Sequence, residues 1–121
     1  MNSEINISQS DVLAKALLQV AEQLQLNESE LANILGTSPV DLSLAIKENR
    51  LALDTTQGER AVGLVRIYQA VFSLCGGDVE WIHKFINSPN TLLNHQMPRK
   101  MMQTENGLTE VLQLVQGLHQ R

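Results

Sequence analysis

The fifteen residues AVGLVRIYQAVFSLC, Ala61 to Cys75, constrain the fold more than any other stretch of this chain. Ala61, Val62, Leu64, Val65, Ile67, Tyr68, Ala70, Val71, Phe72 and Leu74 occupy nearly every direction around a 3.6-residue repeat. A helix that is apolar on almost all sides has to be covered on almost all sides. The segment is therefore predicted to be the central helix of the fold, with part of its surface given to a subunit interface. It is shorter than the roughly 20 apolar residues a membrane span needs.

Helical patterns flank this segment. Val12, Leu13, Ala16, Leu17, Val20, Ala21 and Leu24 recur at intervals of three and four, which predicts an amphipathic helix capped by Ser10 and ending near Gln25. Asn27 and Glu30 have the spacing of a capping box. Leu31, Ala32, Ile34 and Leu35 would then face inward until Gly36 closes the helix. Ser38-Pro39 restarts a helix at once, with Ser38 as cap and Pro39 where its missing N–H costs nothing. Val40, Leu44 and Ala45 are its expected inner face, and Asn49 its end. Two helices around a short Gly-containing turn form a helix-turn-helix arrangement or an ordinary helical hairpin.

Thr56 and Glu59 are placed to cap the central helix, and Gly76-Gly77 to stop it. Asp78 caps a fifth helix with Val79, Ile82, Phe85 and Ile86 on one face, and Trp81 is expected in the core beside them. From Ser88 to Asn106 the chain is punctuated: Pro89-Asn90 breaks it, Thr91 to Asn94 suit a single turn, and Pro98 opens a short helix over PRKMMQT. After Asn106-Gly107, a last helix carries Leu108, Val111, Leu112, Leu114, Val115 and Leu118. No segment alternates with a period of two, so the class is all-α.

At 121 residues the chain suffices for one domain, or two small helical subdomains around one core. The N-terminal sequence has no basic and apolar signal pattern, and a cytoplasmic protein is the expectation. Cys75 has no partner cysteine and is expected to pack as a small apolar residue. His83, His95 and His119 lie on separate elements without zinc-ligand spacing. Neither a phosphate-binding Gly motif nor a nucleophile motif occurs, so neither an enzyme nor a cofactor of its own is expected. Residues 1 to 75 hold five basic and nine acidic side chains, and residues 76 to 121 hold four of each, so the net charge of −4 sits entirely in the first part. The second helix of the helix-turn-helix offers Thr37, Ser38, Asp41, Ser43 and Lys47 outward, and no Arg before Arg50. Major-groove readout usually relies on Arg, Lys, Asn or Gln, so modest DNA affinity is expected.

With the elements placed, the chain resembles the Xre/MbcA/ParS antitoxin family. The resemblance rests on ESELANILGTSPVDLSLAIKE and on ERAVGLVRIYQAVFSLCGGD. Further along it rests on Trp81, Pro89-Asn90, Leu93, Pro98, Met101-Met102, Thr104, Gly107, Val111 and Leu114. Asn94 stands where the family often has Gly. The resemblance implies an Xre-like helix-turn-helix domain over residues 10–75 after an N-terminal arm of residues 1–9, and a toxin-binding domain over 76–121.

The implied function is that of an antitoxin, usually dimeric, that blocks a partner toxin. That toxin is most often an NAD-consuming RES-domain protein, so the cofactor belongs to the partner. The antitoxin would also repress its own operon. On this resemblance the DNA-binding candidates are Thr37, Ser38, Ser43, Lys47 and Arg50. The toxin-binding candidates are Pro89, Asn90, Leu93, Asn94, Pro98, Arg99, Met101, Met102 and Arg121. The competing expectations are a stand-alone transcriptional regulator whose C-terminal part only dimerises, and a structural bundle whose turn-rich segment merely connects helices.

Overall fold

The computed structural model describes residues 9–119. Apart from Gln9, which already belongs to the first helix, the predicted arm lies outside the described residues, as does Arg121. The elements are α1 (Gln9–Gln23), α2 (Glu28–Leu35), α3 (Pro39–Lys47), α4 (Thr56–Leu74), α5 (Val79–Ile86), a 3₁₀ turn (Thr91–Leu93), α6 (Pro98–Met101) and α7 (Gly107–His119). Among the described residues the only extended pairing is an isolated antiparallel bridge between Asn90 and Gln96. The class is all-α, as the periodicities predict.

Local chemistry sets the boundaries. The Asn27 side chain accepts from the Glu30 amide at 2.8 Å while the Glu30 carboxylate accepts from the Asn27 amide at 3.0 Å, the reciprocal capping box. Four helices then stop in one way, at a residue with positive φ: Gln25, Gly36, Asn49 and Gly76. In each, the following amide reaches back five residues, from Leu26 to Ala21, Thr37 to Ala32, Arg50 to Ala45 and Gly77 to Phe72, at 2.8–2.9 Å. This is the Schellman closure. Two corrections concern caps. Ser10 is the second residue of α1 and not its cap. The cap of α4 is Thr55, not Thr56: its hydroxyl donates to the Ala52 carbonyl at 2.7 Å and accepts from the Gly58 amide at 3.0 Å.

Helix α4 lies at the centre, packed most extensively on α7 and also on α1 and α2. Leu17, Leu24, Ile34, Leu35, Leu64, Ile67, Val71, Ile86, Met102, Val111 and Val115 are fully buried in one continuous core. Each such side chain contributes about 1.5–3 kcal/mol relative to exposure. The prediction for α3 is corrected. Val40 is 69% exposed and Leu44 41%, whereas Leu42 is buried and Ile46 packs against the core. Trp81 is corrected too: it is 58% exposed, with the Lys84 ammonium 5.1 Å from its ring centroid.

Candidate functional site

The punctuated stretch folds into a tight, self-bonded structure. Asn90 is its clasp. Its side-chain oxygen accepts from the Leu92 amide at 2.9 Å, and its carbonyl accepts from the amides of Leu93 and His95, both at 2.9 Å. Its own amide donates to the Gln96 carbonyl at 3.0 Å. Asn94 and His95 are both left-handed, with φ of 56° and 64°, which turns the chain back on itself. Asn is among the residues that enter this region most readily. Of the consecutive leucines, Leu93 is buried and Leu92 is 64% exposed.

A second clasp joins α6 to α7. The Thr104 hydroxyl donates to the Met101 carbonyl at 2.8 Å and accepts from the Gly107 amide at 3.1 Å. A Cβ on Gly107 would lie 1.7 Å from the Met101 carbonyl oxygen, so no other residue fits here without moving backbone. Between the two clasps and the exposed side of α7 lies an open cleft of about 460 Å³. Leu92, Leu93 and Asn94 form one wall, Met101 and Leu114 are part of its apolar lining, and Asn94, Glu110 and Gln113 are its polar members. Gly117 adds a notch, since nothing stands within 4 Å of where its Cβ would be.

The candidates named from the resemblance divide accordingly. Leu93, Asn94 and Met101 line the cleft. Asn90 holds the turn that carries Leu92 to Asn94, and Pro89 precedes it, exposed and outside the cleft. Pro98 and Met102 are buried, so their role is to hold the segment on the core.

Arg99 is turned inward. Its Nε donates to Glu30 Oε2 and one Nη to Glu30 Oε1, both at 2.7 Å. The remaining bonds run to the carbonyls of Leu24 and Gln25 and to the Asn87 side chain. The two charged side chains are only 18% and 19% exposed. Bonding from Arg99 holds the Glu30 carboxyl below its ordinary value, against the effect of partial burial, and Glu30 in turn raises Arg99.

Arg60 makes a parallel attachment. Its Nε donates to the Ile34 carbonyl, and its two terminal nitrogens donate to the carbonyls of Glu105 and Thr104 at 3.1 Å each. Asn33 also donates to the Gln103 side chain at 3.0 Å. Helix α2 is thus fastened at its start, middle and end to the segment from Arg99 to Glu105.

Sequence reasoning missed Leu92, Glu110, Gln113 and Gly117 as cleft residues. A signal existed for Leu92: in a three-residue turn, two adjacent leucines cannot both point inward. For Gly117 there was none, because a helical glycine has no visible cause in sequence.

On α3, Ser43 and Lys47 are exposed. The Ser38 hydroxyl accepts from the Asp41 amide at 3.1 Å as the helix cap. Thr37 is half-buried, and exposed Arg50 pairs with Glu48 at 2.9 Å. Cys75 is half-buried, and its thiol is pushed up, mainly by desolvation and also by Asp78. No three His, Cys, Asp or Glu among the described residues stand together as metal ligands. No described helix is long and apolar enough to cross a membrane.

Residues 69–119, from within α4 to the end of α7, match the family model described as the antitoxin Xre/MbcA/ParS C-terminal toxin-binding domain. No curated protein matches the chain.

Proposed function

Because the chain belongs, through residues 69–119, to the Xre/MbcA/ParS antitoxin family, we propose that it is a non-catalytic antitoxin that neutralises an NAD-consuming RES-type toxin by covering its active-site entrance. It acts as a homodimer, with residues 76–121 facing the toxin and residues 10–75 forming the helix-turn-helix unit. The observation that carries this reading is the open cleft of mixed polar and apolar lining beside exposed Leu92, inside the matched domain. An exposed apolar side chain on a backbone already held in place gains by being covered and loses little freedom on docking. Its neighbours need no rearrangement on docking, because the two clasps already fix the backbone.

Leu92→Glu is expected to weaken toxin binding by about 30-fold, the effect of losing a contact worth roughly 2 kcal/mol. Calorimetry with the proposed partner toxin measures it, and the NAD content of cells expressing both proteins reports neutralisation. Full protection of NAD by the Leu92→Glu variant would overturn the assignment of this surface.

The companion role is repression of its own operon through α2 and α3. Lys47 is exposed on α3 and makes no ion pair among the described residues, and Arg50 is engaged with Glu48. Few phosphates would be neutralised, so log K is expected to fall with log salt at a shallow slope of about −2 per protomer. Lys47→Ala should reduce that slope by about 1. Fluorescence anisotropy with a duplex from the gene's own promoter, read across salt, checks both values.

A further inference from the structure

Arg60 stands near the start of α4, outside the matched residues 69–119 and remote in sequence from every residue of the cleft. We infer that it is a positioning residue for toxin binding: its guanidinium holds the start of α7 in the direction that forms the cleft before the toxin arrives. The inference rests on the cleft of the proposed function and names what keeps that cleft in shape.

The chain of contacts is short. The half-buried Arg60 side chain passes Gly36, whose Cβ would lie 4.0 Å from Arg60 Cδ, and its Nε donates to the Ile34 carbonyl near the end of α2. That bond anchors the group, and its two terminal nitrogens donate to the carbonyls of Glu105 and Thr104 at 3.1 Å each. Thr104 is also the residue whose hydroxyl links Met101 to Gly107. Met101 lines the cleft, and Gly107 begins the helix that brings Glu110, Gln113, Leu114 and Gly117 to it. One guanidinium therefore stands behind both the α6 side and the α7 side of the cleft.

Three residues further along α4, on the same face of the helix, buried Gly63 gives a second hold on α7. A Cβ there would lie 3.4 Å from Leu108 Cδ2, so the bare backbone lets buried Leu108 seat closely on α4. That packing fixes how near α7 lies. Its direction is set by a planar group bonded to three carbonyls from two segments. A lysine ammonium keeps the charge but lacks the fixed fork of donors that spans those carbonyls.

A consequence for binding rates follows. When only a fraction of molecules holds the competent arrangement, apparent affinity falls by that fraction. The complex, once formed, keeps all its contacts, so the loss appears in association and not in dissociation. Removing a contact, as in Leu92→Glu, acts mainly on dissociation.

The test is stopped-flow association and dissociation of the full chain with the RES-type toxin of the proposed function, at a temperature where helical circular dichroism shows every variant folded. Arg60→Lys should slow association about tenfold, as when one molecule in ten holds the cleft, with dissociation unchanged. Arg60→Met should slow association at least as much, and Arg60→Lys decides alone where the Met variant does not fold. Arg66→Met removes the same charge from an exposed site on the same helix and should leave both rates unchanged. Wild-type association by Arg60→Lys would overturn the inference and leave Arg60 a bond of stability only. An equal slowing in Arg66→Met would overturn it in favour of charge steering, and a loss confined to dissociation would overturn it in favour of direct contact. Wild-type rates for Leu92→Glu would overturn the cleft itself, and this inference with it.

Discussion

Replacing Arg99 by Met is expected to destabilise the chain by about 3 kcal/mol, at the lower end for breaking a buried ion pair, and to lower the thermal midpoint by roughly 10 °C. The loss is larger than that of a surface pair, because Glu30 is left with its charge in a site where it is only 19% exposed. The carbonyls of Leu24 and Gln25, at the closure of α1, lose a donor at the same time. Arg99→Lys should recover little, since an ammonium cannot match the two parallel bonds to the carboxylate.

The pair also makes stability depend on pH. The folded-state pKa of Glu30 is lowered, so its contribution is fully present above the ordinary carboxylate value and is lost as pH falls through the lowered one. Between neutral pH and the acid range the wild type should therefore lose more stability than Arg99→Met, whose Glu30 has no such partner. Urea unfolding at a series of pH values measures both effects. Equal slopes for the two proteins would show that the pair is not formed.

Gly107→Ala should be of similar size, about 3 kcal/mol, at the upper end of what overpacking costs. The added methyl would sit 1.7 Å from the Met101 oxygen and 2.3 Å from the Thr104 hydroxyl, so the turn has to open. Opening it disturbs both Thr104 bonds and the carbonyls that Arg60 holds. Gly117→Ala is the matched control in the same helix. Nothing lies within 4 Å of its new Cβ, so it should gain about 0.5–1 kcal/mol from helix propensity. The midpoints of urea unfolding compare the two directly.

How much was legible follows from what fixes each feature. The capping box at Asn27 and Glu30, the Ser38-Pro39 start and the closures at Gly36, Asn49 and Gly76 are made by residues within a few positions of one another, and the sequence reads them directly. Gln25 closes α1 by the same geometry without being Gly or Asn, so only an approximate end was readable there. On α3 the reading failed because two apolar faces were on offer. Val40 and Leu44 recur as regularly as Leu42 and Ile46, and nothing local distinguishes them. Arg99 carried no sign of being internal, since its partners Glu30, Leu24 and Gln25 are 69 to 75 positions away.

The sequence alone determined an all-α chain, the number and order of its principal helices, a central apolar α4 and a shaped C-terminal segment. Periodicity and capping act over a turn or two, and that range covers these features. The tertiary structure decided which face of α3 is inside, that Trp81 and Leu92 are outside, and that Arg99 serves as an internal tie. These outcomes depend on which helix lies opposite, and packing between distant segments is the only force that selects among faces of equal apolar character.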